Sequence, residues 1–237
     1  MRLVTFDSGE GPTVGAFVGD KVLDLPAADK RVGAGRFPSS MQALIEAGDA
    51  GLDATRALIE RAPVEAILEA PRLLAPLPKP IRFRDSCLFL EHMEVSMEKI
   101  MKQQARDAGK PEPEPPGSDG KWLVDQYYDL CIYYNADHLH VFGPEDDIHW
   151  PNQPGWADYE LEWACVVGKT ARDITPQNAN AHIFGYTIFN DWSARDLQFP
   201  FMKAGLGPGQ AKLVDTQKSG GSGTRRPGAA PRPRCPK

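Results

Sequence analysis

The stretch DYELEWACVVG, residues 158–168, decides the fold. Charged and apolar side chains alternate along it, as in a β-strand whose successive side chains point to opposite faces. We therefore predict a strand over residues 159–167, with Glu160 and Glu162 on one face. Two strand steps separate them by about 7 Å, so both carboxylates can reach one cation. Paired glutamates are also ordinary on the solvated face of a strand, and this segment alone favours that simpler interpretation.

A second segment, HIFGYTIFNDWSARDLQ, covers residues 182–198. Its apolar run predicts a strand over 184–189 that ends at Asn190 and Asp191, and rigid scaffolds commonly present functional side chains at such ends. Asp191 also fits a turn or a helix cap. If it joins Glu160 and Glu162, the three carboxylates are hard oxygen ligands, which favour Mg²⁺, Mn²⁺ or Ca²⁺ over zinc.

Length and composition place the chain among soluble globular proteins. Its 237 residues are 41% hydrophobic and 25% charged, which is close to the averages for that class. The amino end has no basic start followed by an apolar run, and no apolar stretch approaches the length that spans a membrane. We therefore predict a cytoplasmic protein without a membrane partner.

Cysteine spacing and charge exclude further classes. The four cysteines stand far apart, without zinc-ligand spacing, and are too few for a disulfide scaffold. Residues 1–216 hold all 32 acidic residues and 21 of the 27 basic ones, a net charge of −11. This acidic body argues against nucleic acid as the main partner.

The beginning of the chain indicates a small α+β domain over residues 1–72. Short apolar runs separated by turn residues predict strands, and apolar residues at helical spacing predict helices. The strands are expected at 3–6, 13–18 and 21–25, with a tight turn at Gly19-Asp20, and the helices after Ser40 and around 54–61.

Composition changes divide the rest of the chain. Residues 73–80, LLAPLPKP, contain three prolines and are predicted to form a linker, and residues 81–216 form the predicted catalytic domain. Within that domain residues 88–107 lack glycine and proline, which predicts a helix capped by Asp85 or Ser86. Residues 217–237 hold almost no apolar side chains and are predicted to be a disordered basic tail.

The run from ELE through VVGKTARDI to HIFGYTIFNDWSARDLQ resembles the signature core of the fumarylacetoacetate hydrolase family, over residues 158–212. The resemblance implies an α+β fold that is mainly β, a rolled mixed β-sheet catalytic domain preceded by a small α+β domain. It also implies that Glu160, Glu162 and Asp191 bind the catalytic metal, Mg²⁺ or alternatively Mn²⁺ or Ca²⁺.

The motif RDSCLFLEH, residues 84–92, extends this resemblance. In the family an aspartate seven residues before a catalytic histidine supplies a fourth metal ligand, which implies that Asp85 binds metal and that His92 is the general base. Seven residues are close to two helical turns, so a helix reaching back to Asp85 would place both side chains on one face, about 10 Å apart. By itself, His92 fits a surface histidine on an amphipathic helix.

Further positions match family residues that contact substrate or stabilise charge. They are Tyr134 in YYN, Gln198 in ARDLQ, and Lys212 after GLGPGQA. Where animal family members carry substrate-contacting tyrosines, this chain has Cys87 and Met202. These differences bear on which substrate the chain would bind.

The function implied by the resemblance is hydrolysis of a C–C bond next to a carbonyl. The substrate would be a small 2-oxo acid or 1,3-dicarbonyl compound, similar to acylpyruvate or fumarylacetoacetate, from aromatic catabolism. His92 would activate a water molecule and Lys212 would offset the growing negative charge. Isomerases, decarboxylases and lyases of the family act through the same metal enolate, so these alternatives stay open. The resemblance also implies a homodimer.

The resemblance stops near Lys212, after which residues 213–216 lead into the polar tail. In the family, the portion that follows supplies an acidic partner for the histidine, a substrate-contacting threonine and strands that close the sheet. An inactive, truncated metal-binding fragment is therefore the alternative from a different functional class.

Overall fold

A computed structural model describes residues 1–33, 35–148 and 155–212, and the predicted tail at 217–237 lies outside these residues. The chain forms two compact units. One combines Met1–Ile81 with the segment from Asp137 onward, and the other is Arg82–Ala136. The domain boundaries expected at residues 72 and 80 stay a prediction.

A five-stranded antiparallel sheet opens the first unit, in the order β4-β3-β2-β1-β5. The three predicted strands are confirmed, and Gly19 between the second and third has a φ of +66°, which glycine adopts without a steric penalty. The predicted linker begins as the fifth strand, paired with the first. The strands are β1 (Leu3–Asp7), β2 (Pro12–Val18), β3 (Lys21–Asp24), β4 (Ile67–Leu68) and β5 (Leu73–Leu74).

Three helices supply most of the rest of this unit's main hydrophobic core: α1 (Leu25–Val32), α2 (Met41–Glu46) and α3 (Gly48–Arg61). As expected, α2 follows Ser40, whose Oγ accepts a hydrogen bond from the Ala43 amide at 3.2 Å. Helix α1 was not predicted, although Asp24 caps it and Pro26 lies in its first turn. The buried core is apolar and includes Val14, Leu23, Leu25, Leu44 and Leu58.

The second unit contains β6 (Arg84–Ser86), α4 (Leu90–Asp107), α5 (Gln126–Asp129) and β7 (Tyr133–Asn135). The predicted helix is present but begins at Leu90, and no side chain caps it. Asp85 and Ser86 therefore do not cap α4. They lie in β6, which pairs with β7, because the backbone here is extended rather than helical.

The strands that flank the predicted metal ligands Glu160, Glu162 and Asp191 belong to the first unit. They are β8 (Ala157–Asp158), β9 (Leu161–Val167), β10 (Ile183–Asn190) and β11 (Ser193–Ala194), followed by α6 (Arg195–Lys203) and α7 (Gly209–Lys212). Strands β9 and β10 pair antiparallel, as do β8 and β11. The strands predicted at 159–167 and 184–189 are thus confirmed, with small shifts at their ends.

One side of the β9–β10 pair is attached to the N-terminal core. Val166 and Phe184 pack against the buried cluster of the five-stranded sheet and its helices. Lys169 adds an ion pair with Asp49 on α3 at 2.9 Å. The strands that carry the predicted metal ligands are therefore supported by a packed apolar layer, and the α+β class is confirmed.

Candidate functional site

The end of the β9–β10 pair brings Glu160 and Asp191 together. Glu160 directly precedes β9 and Asp191 directly follows β10. The amide of Asp191 donates to the carbonyl of Glu160 at 3.0 Å, and the amide of Glu160 donates to Asn190 Oδ1 at 3.2 Å. These hydrogen bonds fix both residues at one edge; the sequence predicted a strand end for Asp191, whereas it placed Glu160 inside the strand.

Asp191 is buried, and Glu162 lies within reach of it. Only 5% of Asp191 is exposed, and an oxygen of its carboxylate lies within 4.8 Å of one from Glu162. The hydroxyl of buried Ser193 donates to the Asp191 carbonyl at 3.1 Å, which fixes the turn after β10. Two of the predicted ligands are thus close enough to share one ion.

Lys212 joins the same cluster. Its Nζ lies 2.8 Å from Glu160 Oε2 and 2.5 Å from Asp191 Oδ2, and its side chain is 4% exposed. Burial by itself would lower the pKa of Lys212, but the charges and hydrogen bonds of Asp191 and Glu160 raise it above its ordinary value. Lys212 is therefore a buried, charged ammonium among the predicted metal ligands.

Arg195 is a site residue that the sequence reasoning missed. Its Nε donates to Asp158 Oδ2 at 2.9 Å, and one terminal nitrogen lies 2.5 Å from Glu160 Oε1 and 2.8 Å from Gln198 Oε1. The spacing of Arg195 and Gln198, three residues apart on α6, could have indicated this neighbour. Arg195 links a predicted ligand to the predicted substrate-binding Gln198.

The two cations determine the charge of Glu160. Burial alone would raise the pKa of this carboxyl group, but the hydrogen bond and charge of Lys212, together with Arg195, lower it below its ordinary value. Glu160 is therefore an ionised carboxylate at neutral pH. An ionised carboxylate is the form that binds a divalent cation.

A backbone frame holds Arg195 in place. Its amide donates to the Trp156 carbonyl at 2.8 Å, and the Trp156 amide donates to Asp196 Oδ1 at 3.2 Å. A Cβ atom at Gly155 would lie 2.8 Å from Asp196 Oδ1, so this position requires glycine or a shift of the aspartate. The start of α6 is thus tied to the segment before β8.

The second unit carries the remaining predicted residues of the RDSCLFLEH motif. The hydroxyl of Tyr134 donates to Asp85 Oδ2 at 2.8 Å, across the β6–β7 pair, so two predicted site residues meet. His92 is exposed in the first turn of α4, with Nε2 3.5 Å from Ser96 Oγ. The helix begins at Leu90, so it does not reach back to Asp85, and the condition for Asp85 and His92 to share a helix face is not met.

The two proposed substitutes for family tyrosines differ in exposure. Cys87 is partly buried, and its amide donates to the Ile132 carbonyl at 3.2 Å. Met202 is 45% exposed on α6, in the first unit. Their role in binding substrate stays a prediction, as do the roles of Asp85, His92 and Tyr134.

The cluster in the first unit fits a divalent cation by its donor set and its charge. Its carboxyl groups belong to Asp158, Glu160, Glu162 and Asp191, and its cations to Lys212 and Arg195. Their formal charges, four negative and two positive, sum to −2, the charge that one divalent cation carries with the opposite sign. Carboxylate oxygens are the ligands that Mg²⁺, Mn²⁺ and Ca²⁺ prefer.

Carboxylates gathered at the end of paired strands are an arrangement that suits an oxygen-ligand cation site. Residues 124–233 match the family described as "Fumarylacetoacetate (FAA) hydrolase C-terminal". Over these residues the chain is similar to the fumarylacetoacetate hydrolase family.

Curated relatives agree with this assignment. The chain is 29% identical to oxaloacetate tautomerase FAHD2A, mitochondrial, of Homo sapiens over 203 residues, and 27% identical to oxaloacetate tautomerase fahd2, mitochondrial, of Xenopus laevis over 202 residues. Each match covers 84% of this chain and 54% of the relative. The chain thus spans about half the length of the curated relatives it matches.

Solved structures show the same fold. A fumarylacetoacetate hydrolase from Exiguobacterium antarcticum matches with a TM-score of 0.55 and 24% identity, covering 91% of this chain and 62% of that one. A maleylpyruvate hydrolase from Sphingobium sp. SYK-6, solved with manganese(II) and pyruvate, matches with a TM-score of 0.54 and 20% identity, covering 91% and 63%. In the described part of this chain no helix is long and apolar enough to cross a membrane.

Proposed function

We propose that this protein is a divalent-metal-dependent hydrolase that cleaves a C–C bond next to a carbonyl. Its substrates would be small 2-oxo acids or 1,3-dicarbonyl compounds, similar to acylpyruvate and fumarylacetoacetate, in aromatic catabolism. The observation that carries the proposal is that the buried Lys212 ammonium contacts Glu160 and Asp191, with a carboxylate oxygen of Glu162 within 4.8 Å of one from Asp191.

The proposed cation is Mg²⁺, with Mn²⁺ and Ca²⁺ as alternatives of the same ligand preference. Glu160, Glu162 and Asp191 would hold it, and Asp85 is the fourth ligand proposed from the sequence. When bound, the cation would polarise a substrate carbonyl as a Lewis acid. The manganese in the maleylpyruvate hydrolase structure supports this type of cofactor.

The side chains around the cluster would bind substrate and stabilise charge. Lys212 would place a positive charge where negative charge develops on the substrate oxygen. Gln198 uses Oε1 to accept from Arg195, which leaves its amide nitrogen as the group that donates to substrate. His92 is the general base proposed from the sequence and would take a proton from the attacking water.

A second candidate function is keto–enol tautomerisation of a 2-oxo acid. The similarity to proteins named oxaloacetate tautomerase supports it. Tautomerisation moves one proton beside a carbonyl and needs no attacking water, so the same carboxylates and Lys212 would serve. Family isomerases, decarboxylases and lyases have the same requirement for a polarised carbonyl.

The names of two relatives state the cell compartment of those proteins. The human and frog relatives are described as mitochondrial, whereas the composition of this chain predicts the cytoplasm. We propose a cytoplasmic location, which fractionation of cells with an antibody to the chain would test.

The experiment that tests the proposed function is a substrate panel with wild-type protein and the Glu160→Gln variant. Acylpyruvate, fumarylacetoacetate and oxaloacetate would be assayed with Mg²⁺, with Mn²⁺ and with a chelator, following dicarbonyl absorbance and the ratio of enol to keto form. Hydrolysis predicts loss of dicarbonyl absorbance with a new carboxylate product, and tautomerisation predicts interconversion without cleavage.

A matched control is Glu60→Gln, an exposed glutamate on α3. We expect full activity in this variant and activity reduced to background in Glu160→Gln. Undiminished activity of Glu160→Gln would reject the assignment. Cation binding without turnover of any substrate would support the metal-binding fragment instead.

A further inference from the structure

One face of the β6–β7 pair carries three residues that the sequence predicts for the site. Opposite residues of an antiparallel pair point to the same face, and the register sets Asp85 opposite Tyr134. The amide of Cys87 donates to the Ile132 carbonyl at 3.2 Å, which extends the pairing by one residue. Cys87, two residues after Asp85, therefore shares its face, as does Ile132. We call this surface of Asp85, Cys87, Ile132 and Tyr134 the Asp85 face.

The opposite face of the pair makes contacts of its own. The Arg84 guanidinium lies over the Tyr133 ring, 4.4 Å from the ring centre, and Cys131 Sγ lies 3.9 Å from Ser86 Oγ. Tyr133 and Cys131 are exposed, whereas all four residues of the Asp85 face are partly buried. The predicted site residues of these two strands therefore lie together on the less exposed side.

Tyr127 on α5 lies beside the Asp85 face. It is partly buried, whereas the other three residues of this short helix are exposed. Burial raises the pKa of the Tyr127 phenol above its ordinary value, and the charge of a nearby Cys87 thiolate would raise this pKa further. At neutral pH the phenol therefore keeps its proton and can donate a hydrogen bond.

The hydroxyl of Tyr127 has no hydrogen-bond partner within residues 1–33, 35–148 and 155–212. Tyrosine hydroxyls usually find such a partner where the ring is buried. The neighbouring phenols do so, because Tyr134 donates to Asp85 and Tyr128 donates to Glu94. Beside the Asp85 face, the Tyr127 hydroxyl is thus the donor that the described protein groups leave for a ligand.

The charge of the Asp85 face indicates which part of a substrate it would bind. Its side chains are one carboxyl group, a thiol, an aliphatic chain and a phenol, and Arg84, the basic residue of the two strands, lies on the opposite face. A substrate carboxylate would meet acidic Asp85 with no basic side chain on this face to offset the repulsion. A neutral carbonyl oxygen accepts from a phenol without that repulsion, so the face fits an uncharged acyl group.

We propose that Tyr127 is a further substrate-binding residue, whose hydroxyl donates a hydrogen bond to the acyl carbonyl oxygen of a 1,3-dicarbonyl substrate. This inference rests on the proposed function, because that function supplies the dicarbonyl compound. Tyr127 orients the acyl group, and Ile132 on the same face offers apolar contact to the carbon chain next to that carbonyl. The hydrogen bond is made to the bound substrate before any bond breaks, so it contributes to binding rather than to the chemical step.

Steady-state kinetics of pyruvate release from acetylpyruvate, with Mg²⁺ or Mn²⁺, test the proposal with two variants that each lose one hydroxyl. Tyr127→Phe removes the proposed donor, and Tyr133→Phe, on the opposite face, is the matched control. We expect KM to rise roughly 2- to 10-fold in Tyr127→Phe, with kcat nearly unchanged, because a hydrogen bond between uncharged groups contributes about this factor to binding. Tyr133→Phe should have the KM and kcat of wild type.

Thermal unfolding separates a binding role of Tyr127 from a structural one. The midpoint of Tyr127→Phe should equal that of wild type, because the lost hydroxyl bonds to no other described residue. An unchanged KM in Tyr127→Phe, a fall in kcat alone, or a KM increase that comes with a lower midpoint would overturn the role of Tyr127 while leaving the proposed function intact. A wild type that releases no pyruvate with either cation would reject the proposed function, and this inference with it.

Discussion

Glu160 lies between two cations, Lys212 on one oxygen and Arg195 on the other. A half-buried carboxylate with two such partners is stabilised in its charged form, although burial opposes ionisation. The ion pairs therefore keep an ionised ligand available near neutral pH. They also mean that a divalent cation must share this carboxylate with both side chains.

Because Lys212 pairs with two of the predicted ligands, its substitution tests the ion pairs directly. Lys212→Met would leave the buried Asp191 carboxylate without its ammonium partner, and breaking a buried pair in this way typically costs about 3–5 kcal/mol. We expect Lys212→Met to lower the free energy of unfolding, measured by urea titration in the presence of a chelator, by ~2 kcal/mol or more, because relaxation of the surrounding structure recovers part of that cost.

A divalent cation should restore part of this loss, because it neutralises the same carboxylates. The exposed Lys203→Met variant on the neighbouring α6 is the control and should unfold like wild type. Equal stability of Lys212→Met and wild type in the chelator would show that the ammonium does not stabilise the cluster.

We predict that Asp158 affects the affinity of the cluster for a cation without contacting the ion. It binds Arg195 at 2.9 Å and so shares the guanidinium charge with Glu160. In Asp158→Asn the guanidinium would interact more strongly with Glu160 and compete with the cation, and loss of such outer partners typically weakens metal affinity about 10–100-fold.

Titration calorimetry with Mn²⁺ would measure this change. Asp173→Asn, which removes an exposed carboxylate, should bind like wild type. Unchanged affinity in Asp158→Asn would mean that Arg195 does not compete with the cation for Glu160.

At the residue scale, the sequence predicted which acids meet better than which cations accompany them. Strand alternation and strand ends place Glu160, Glu162 and Asp191, because these are local rules. Arg195 is different, since its contact with Asp158 depends on the pairing of β8 with β11. Strands β8 and β11 are two residues long, which is too short to show an alternating pattern, so their pairing could not be predicted from the sequence.

At the scale of elements, α4 holds the end of the proline-rich loop at 109–121. The carboxylate of Glu94 accepts hydrogen bonds from the amides of Trp122 and Leu123, at 2.6 and 3.3 Å, and from the hydroxyl of Tyr128. The hydrogen bond from Tyr128 is the largest of the interactions that lower the pKa of Glu94, and the same bond raises the pKa of Tyr128 to about 12. One carboxylate thus fixes the chain where it leaves the loop.

This contact predicts an effect of acid on the loop. The pKa of Glu94 in the folded chain lies below its ordinary value of 4.5, so its stabilisation is complete above pH 4.5 and is lost as the pH falls through the folded-state pKa. Amide exchange at Trp122 and Leu123, corrected for intrinsic rates, should show protection that decreases on acidification from about pH 6 to about pH 3.

The two matched variants each replace one glutamate of α4. Glu94→Gln should have low protection that no longer changes with pH in this range, while exposed Glu91→Gln should follow wild type. Protection in wild type that stays constant down to about pH 3 would contradict the role of Glu94.

Helix starts show where local patterns suffice. Ser40 before Met41 and Leu44 combines a capping residue with helical spacing, and α2 begins there. The expectation that Asp85 or Ser86 caps α4 was wrong, because both residues lie in β6 and form sheet hydrogen bonds with β7. Propensity is a weak signal where a distant strand offers partners.

At the scale of the whole molecule, the first unit combines chain segments far apart in sequence. Val166 and Phe184 pack on the N-terminal core, and Lys169 pairs with Asp49 across 120 positions. Periodicity indicated the small α+β domain at the beginning of the chain and the resemblance implied the α+β class, but such contacts depend on tertiary packing that periodicity does not encode. The family motif is contiguous and specific, so the resemblance implied a rolled mixed β-sheet that periodicity did not indicate.

The central claim is that the cluster of Glu160, Glu162 and Asp191 binds a divalent cation. Its most direct test is the thermal unfolding of wild type, Glu162→Gln and the control Glu60→Gln, with a chelator and with millimolar Mg²⁺ or Mn²⁺. A ligand at 100 times its Kd stabilises the folded state by about 2.7 kcal/mol. We predict a higher midpoint with cation for wild type and Glu60→Gln, and little or no gain for Glu162→Gln. A midpoint for wild type that does not respond to either cation would contradict the account.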